Sequence, residues 1–177
     1  MDNFDLRKYI SEGRIFEDEI DQLADELADE IKDTLEAEPI KEGPGTVAII
    51  STILASTTAL NILSKYAGKI FKKYNFGTGE AAAKRIYDFT HTVESRFKGP
   101  IKTTVKLFTK DEKMINTVTN SLYALLILTL ASIAGGGALS KALIGDSVGS
   151  SLSALKVALK GKDLSTLAKD IASNAPV

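Results

Sequence analysis

The sequence predicts an all-α protein: a helical membrane hairpin of two transmembrane helices with flanking amphipathic helices. Three observations carry this prediction. Residues 43–64 and 114–140 contain no charged side chain. Around these two blocks, apolar residues recur three or four positions apart, which is typical of amphipathic helices. Charge is also segregated, because residues 1–42 carry 5 Lys/Arg against 15 Asp/Glu whereas residues 65–113 carry 12 against 5.

These blocks predict five successive segments. They are an acidic amphipathic N-terminal region, a first membrane span, a basic amphipathic connector, a second span and C-terminal amphipathic helices, at residues 1–42, 43–66, 67–113, 114–140 and 141–177. The acidic region has one apolar stripe, formed by Phe16, Ile20, Leu23, Leu27, Ile31 and Leu35. Pro39 and the Gly43-Pro44-Gly45 cluster are expected to end its helix.

The apolar stretch of the first predicted span, residues 46–64, has a length that suits a bilayer. Its 19 residues would cover about 28 Å at ~1.5 Å per residue, close to the ~30 Å of hydrocarbon. Small residues spaced four apart occur on both spans and favour close helix packing or oligomerisation. They are Ser51, Ala55 and Ala59 in the first span, and Ala131, Gly135, Ser132 and Gly136 in the second. Small lipid-facing residues are the alternative interpretation.

The connector is expected to be cytoplasmic, since nine lysines lie within about 20 residues of the spans on its side against five on the other. The lysines expected at the membrane surface are Lys65, Lys69, Lys72, Lys73, Lys110 and Lys113. Gly77-Thr78-Gly79 predicts a turn. The following basic helix carries a stripe of Ile86, Phe89, Val93 and Phe97, and Gly99-Pro100 is expected to interrupt it.

The second span is the stronger of the two. Thr109 followed by Glu112 matches a capping box, so a helix is expected to start near Lys110. Residues 122–133 are apolar around nearly the whole circumference, whereas a helix in a soluble bundle normally keeps a polar stripe. The alternative is that both apolar segments form the buried hairpin of a soluble bundle, covered by the amphipathic helices.

No catalytic, cofactor-binding or metal site is predicted. The chain has no cysteine and a single histidine, His91, which excludes disulfides, thiolate chemistry and a histidine-rich metal site. Asp88 and Glu94 flank that histidine on its helix, but no nucleophile can be assigned beside it. The aromatic residues of the basic connector recur at helical spacing, on the face expected to be buried. We therefore expect no binding of nucleic acid.

The first 13 residues, MDNFDLRKYISEG, resemble the short N-terminal leaders of many proteins from large contractile-tailed phages, particularly phages of marine bacteria. In the internal head proteins of that group, the leader targets the protein to the prohead. The prohead protease then cleaves after a Glu that follows an Ile or Leu and precedes a small residue. Ile10-Ser11-Glu12 followed by Gly13 is similar to that pattern, so the resemblance implies processing between Glu12 and Gly13.

Together these observations predict a non-enzymatic, phage-encoded integral membrane protein that oligomerises or perturbs membranes. Its size, span number and Gly-rich second span are similar to those of holins. Its partners would be the lipid bilayer of the host inner membrane, further copies of itself, and a phage or host protein bound through the acidic N-terminal helix. The alternative is a soluble or virion-internal helical structural protein with the apolar hairpin as its core.

Overall fold

The computed structural model describes residues 6–37, 53, 56–135 and 164–174, and these ranges contain helices and turns without a strand. The prediction of an all-α chain is therefore confirmed. The helices in these ranges are α1 (Leu6–Ala37), α2 (Thr57–Tyr74), α3 (Glu80–Val105), α4 (Glu112–Gly135) and α5 (Leu164–Asn174).

Helices α1 to α4 form a four-helix bundle. Helix α1 packs against α2 and α3, and α4 packs against the same two helices. Around the bundle the order is therefore α1, α3, α4, α2, so that α1 and α4 occupy opposite corners. Helix α5 lies outside this ring, against α4 and α2. Helices α1 and α2 run antiparallel, because Glu19 contacts Lys73 near one end of the pair and Glu30 contacts Ser56 near the other.

Helix α1 presents its predicted apolar stripe to the bundle. Within the part of the stripe whose side chains are described, all members are buried: Ile20, Leu23, Leu27, Ile31 and Leu35. Its opposite face carries the exposed residues Asp18, Asp25, Asp29, Asp33 and Glu36. A strong 3.6-residue period was sufficient to predict this helix, since the period places its leucines and isoleucines from Ile20 to Leu35 on one side.

Helix α3 passes through Gly99-Pro100 without a break, so the predicted interruption is wrong. A proline inside a helix lacks the N–H that would bond to the carbonyl four residues earlier. The helix continues because its apolar stripe does. Phe97, Ile101 and Val105 are each 0% exposed, and burying these three side chains outweighs one lost backbone hydrogen bond. The hydroxyl of Thr104 also donates to the carbonyl of Pro100 at 3.1 Å.

Helix α2 begins inside the predicted first span. Ser56 caps it, its hydroxyl accepting a hydrogen bond from the N–H of Ala59 at 3.3 Å. The helix is amphipathic, with a buried face of Ala59, Leu63, Tyr66, Ala67 and Ile70 and an exposed face of Thr58, Asn61, Lys65, Lys69 and Lys72. It therefore joins the end of the predicted span and the start of the predicted connector in one element.

The prediction of two spans is not confirmed. Among the described residues, one helix segment, Glu112–Ala134, is long and apolar enough to cross a membrane. Residues 46–52, 54 and 55 of the first predicted span lie outside the described residues, as does most of the C-terminal segment 141–177. The predicted turn at Gly77-Thr78-Gly79 is confirmed. It follows Asn75, and both of its glycines adopt positive φ, at 73° and 77°.

Helix α4 begins at Glu112, two residues later than predicted, and its cap is Asp111 rather than Thr109. The Asp111 carboxylate accepts hydrogen bonds from the N–H groups of Lys113 and Met114, at 2.9 and 3.4 Å. The Thr109 hydroxyl instead accepts from the N–H of Asp111. Both residues are good caps in sequence, and the aspartate has the additional advantage of a negative charge at the helix N-terminus.

We expect Asp111→Ala to lower the free energy of unfolding by about 1 kcal/mol, because it leaves two N–H groups of α4 without their acceptor. Urea denaturation followed by circular dichroism measures this change. Asp111→Asn is the matched control, since its amide oxygen still accepts the same hydrogen bonds while the charge is removed. If the alanine and asparagine variants unfold at the same urea concentration, the side-chain cap contributes nothing measurable.

Candidate functional site

The apolar helix α4 is the candidate functional element. Its 23-residue segment Glu112–Ala134 would extend about 35 Å at ~1.5 Å per residue, which is enough to cross ~30 Å of hydrocarbon. Every residue from Ser121 to Ala131 is buried. In its most apolar 18-residue window, 78% of the residues are buried inside the protein. Other helices therefore cover this helix on nearly all sides.

The serine and threonine hydroxyls of α4 bond within the helix itself. Each donates to the carbonyl four residues earlier: Thr117 to Lys113, Thr119 to Ile115, Ser121 to Thr117, Thr129 to Leu125 and Ser132 to Leu128, at 2.7 to 2.8 Å. These five side chains need no donor or acceptor from a neighbouring helix. The helix can therefore pass from a protein interior to hydrocarbon without leaving these groups unsatisfied, which is the main requirement on a spanning helix.

Tyr123 links α4 to the neighbouring helix α3 through a polar contact. Its hydroxyl donates to the carbonyl of Thr90 on α3 at 2.5 Å. The Tyr123 ring lies 5.3 Å from the ring of Phe97, and the ammonium of Lys98 lies 5.1 Å from its centroid. Lys98 in turn pairs with Glu94. Helix α3 thus holds the middle of α4 by one aromatic pair and one hydrogen bond.

A polar seam joins α1 to the two helices beside it. The Tyr66 hydroxyl donates to Glu26 at 2.5 Å, and the Ser56 hydroxyl donates to Glu30 at 2.7 Å. At the other end of α2, Lys73 pairs with Glu19 at 2.8 Å. Helix α3 contributes Arg96, which is 3.2 Å from Asp21. The last two pairs are partly exposed to solvent, where such ion pairs add little stability, so burial of apolar stripes holds α1 in place.

The structure buries two of the predicted helix-packing residues in the bundle. Ala59 on α2 and Ala131 on α4 are both fully buried, and these two helices pack against each other. Ser132 is partly buried, and Gly135 is the last residue of α4. Ser51, Ala55 and Gly136 lie outside the described residues. In this structure Ala59 and Ala131 are buried by packing within one chain, and a role between chains stays a prediction.

All six lysines predicted at a membrane surface are exposed, but they fall in two separate groups. The first group lies within α2 and consists of Lys65, Lys69, Lys72 and Lys73. Lys65 and Lys69 lie 5.5 and 5.2 Å from the centroid of the Tyr66 ring. Lys110 and Lys113 instead flank the start of α4, at the far end of α3. The first group therefore lies beside acidic α1, and the second lies beside the apolar helix.

The turn between α3 and α4 carries a feature that sequence reasoning missed. Leu107 is 68% exposed, far more than Tyr87 and Tyr74, the other exposed large hydrophobic residues in the described part of the chain, at 41% and 37%. Its neighbour Phe108 packs against the core. The signal in the sequence was an apolar residue off the helical stripe, placed between Lys106 and Lys110.

The structure bears on the metal prediction only for the residues that it describes. Within them, no group of three or more acidic or histidine side chains is arranged to hold a metal ion. His91 lies on α3, and its side chain is outside the described residues. Helix α1 runs through the predicted processing site at Glu12 and Gly13, and cleavage there stays a prediction.

Comparison with known proteins gives no functional assignment. The chain matches no protein-family model, no curated protein and no solved structure.

Proposed function

We propose that the chain is a non-enzymatic, membrane-perturbing protein that acts by inserting α4 into a bilayer, and that the bundle is the form in which this helix is covered. The observation that carries the proposal is a helix of spanning length whose serine and threonine hydroxyls all bond to carbonyls of the same helix. The resemblance of the N-terminal leader supports a phage-encoded protein, and perturbing the host inner membrane would be a holin-like activity.

The exchange of protein contacts for lipid contacts keeps α4 in an apolar environment. Leu122 to Ala131 are surrounded by apolar side chains in the bundle, and hydrocarbon offers them an equally apolar environment. The amphipathic helices α2 and α3 would lose α4 as a partner of their apolar stripes. Such helices can lie in the membrane interface with the apolar face toward the acyl chains and the charged face toward water. Most of the apolar surface thus stays out of water in both states.

The finer form of this proposal is a two-span hairpin. Residues 46–64 would supply the first span and α4 the second, the lysine-rich connector would stay in the cytoplasm, and Ala59, Ala131 and Gly135 would mediate packing between copies. Because the chain lacks cysteine, a single Lys72→Cys variant can be labelled without background. Labelling of this thiol from outside intact cells would contradict the proposed orientation. The exposed acidic face of α1 would remain available to a basic phage or host protein.

A second candidate function is favoured by the burial of α4 itself. The most apolar part of this helix is largely enclosed by protein, as expected for the core of a soluble or virion-internal structural protein. In that case the bundle never opens. The two candidates differ in one observable, which is whether the folded protein transfers α4 to a bilayer.

We expect the full chain, added to dye-loaded vesicles, to release dye and to stay with the lipid after an alkaline wash. The chain has no tryptophan, so Ile133→Trp places one fluorophore on the partly buried side of α4. Its emission should be quenched by brominated lipids only if α4 enters the hydrocarbon. Tyr87→Trp, on the exposed face of α3, is the matched control.

The structural alternative makes the opposite prediction. A protein that is monodisperse without detergent, releases no dye and shows no quenching at residue 133 would overturn the membrane-perturbing function. The apolar helix would then be a permanent part of the protein core. Detection of the protein in purified virions would be the next experiment.

A further inference from the structure

The turn between α3 and α4, residues 106–111, holds Leu107 rigidly in solvent. The N–H groups of Lys106, Leu107 and Phe108 donate to carbonyls of the last turn of α3, at 3.0 to 3.1 Å. Thr109 donates to the carbonyl of Val105, and Phe108 packs on the core. These backbone hydrogen bonds and the packing of Phe108 fix the conformation of the turn. The fold itself therefore places the Leu107 side chain in solvent.

Four lysines lie within six residues of Leu107 along the chain. Lys106, Lys110 and Lys113 are exposed and Lys102 is partly buried, and none of them takes part in an ion pair with the described residues. Asp111 and Glu112 are the carboxylates in the same stretch. The Asp111 carboxylate already accepts two N–H groups at the start of α4. With four lysines against two carboxylates, residues 102–113 carry a net charge of +2.

We propose that this corner, defined by Leu107 and the lysines Lys102, Lys106, Lys110 and Lys113, is a docking site for an anionic phospholipid bilayer. A leucine at a tip can enter the acyl boundary while the lysine stems reach phosphates around it. Each lysine near an anionic surface contributes about fivefold to the partition coefficient. The proposal deepens the proposed function and rests on it in one respect, in that docking would place the first residues of α4 at the membrane surface.

The lysines of α2 form the other candidate surface for binding an anionic bilayer. Two observations argue against that surface. Lys73 is paired with Glu19, and the exposed face of the neighbouring α1 carries a row of carboxylates. Those carboxylates would be repelled by an anionic bilayer. The corner at Leu107 lies beside the C-terminus of α3 and the N-terminus of α4 instead, and it alone combines lysines with a strongly exposed aliphatic side chain among the described residues.

Binding of the full chain to vesicles tests the proposal, with phosphatidylcholine vesicles compared with equal parts of phosphatidylcholine and phosphatidylglycerol. We expect Leu107→Ser to weaken binding to the mixed vesicles by about tenfold. Lys106→Gln with Lys110→Gln should weaken it by about 25-fold, through the fivefold contribution of each lysine. Added salt should remove the lysine effect and leave the leucine effect. All three residues are exposed, so the thermal unfolding of the variants should match the wild type.

Lys65→Gln with Lys69→Gln is the matched control, since it removes the same charge from α2. If this control weakens binding as much as the corner pair does, or if neither corner variant weakens it, the docking proposal is wrong. Failure of the proposed function looks different. The wild type would then bind the mixed vesicles through the corner and still release no dye. Dye release that persists unchanged in both corner variants would contradict the docking site alone.

Discussion

The variant Phe97→Ala should release dye from vesicles faster than the wild type, although it removes a core side chain. Phe97 is fully buried on α3 and lies against Tyr123 of α4. It belongs to the cover and not to the inserting helix. Truncation of a buried Phe to Ala typically costs 3–5 kcal/mol, a large fraction of the ~5–15 kcal/mol that holds a domain folded.

The expected increase follows from a population shift. If α4 leaves the bundle through an open state, weakening the closed state by about 3 kcal/mol raises the open population on the order of 100-fold. The hydropathy of α4 itself does not change. The initial rate of dye release at fixed lipid and protein concentrations measures this effect, and urea denaturation confirms the loss of stability.

Two controls make the result interpretable. Phe97→Leu keeps most of the apolar volume and should increase release far less, because its cost is about 1 kcal/mol. Ser95→Ala lies on the exposed side of the same helix and should change neither stability nor release. A Phe97→Ala protein that is destabilised by several kcal/mol and still releases no dye would show that α4 is a permanent core.

Sequence periodicity predicted the helices that have one face buried in the protein and the other exposed to water. In α1 and α3 one face meets the protein and the other meets water, so residues such as Leu27 and Phe97 repeat with the helical period and identify the buried face. The period of α3 continues across Pro100 through Ile101 and Val105. It was a better guide than the proline, because the energy of a buried stripe exceeds that of one backbone hydrogen bond.

Sequence could not decide what surrounds α4. A helix that is apolar on all sides has no stripe, and the composition of residues 122–133 suits hydrocarbon and a protein interior equally. The covering of α4 depends on how α2, α3 and α5 pack, which involves contacts between distant residues such as Phe97 and Tyr123. The exposure of Leu107 was equally hidden, since it depends on where the last turn of α3 ends.

Substitution of Leu126 separates specific insertion from non-specific leakage by an unfolded chain. Leu126 is fully buried near the middle of α4. Leu126→Ala and Leu126→Lys should both destabilise the bundle, the first by about 2–5 kcal/mol through a cavity and the second by several kcal/mol through an unpaired buried charge. Their effects on the membrane step differ in sign.

We expect Leu126→Ala to increase dye release and Leu126→Lys to abolish it. Alanine leaves α4 apolar enough to insert, whereas a lysine in place of leucine at the centre of a span costs about 3–4 kcal/mol of insertion free energy. Asn116→Lys is the control for charge, because this residue is exposed near the start of α4 and would remain at the interface. If the two Leu126 variants release dye equally, leakage comes from exposed apolar surface in general and not from the insertion of α4. If only the alanine variant releases it, the apolar continuity of α4 is what perturbs the membrane, and the bundle acts to keep that helix covered.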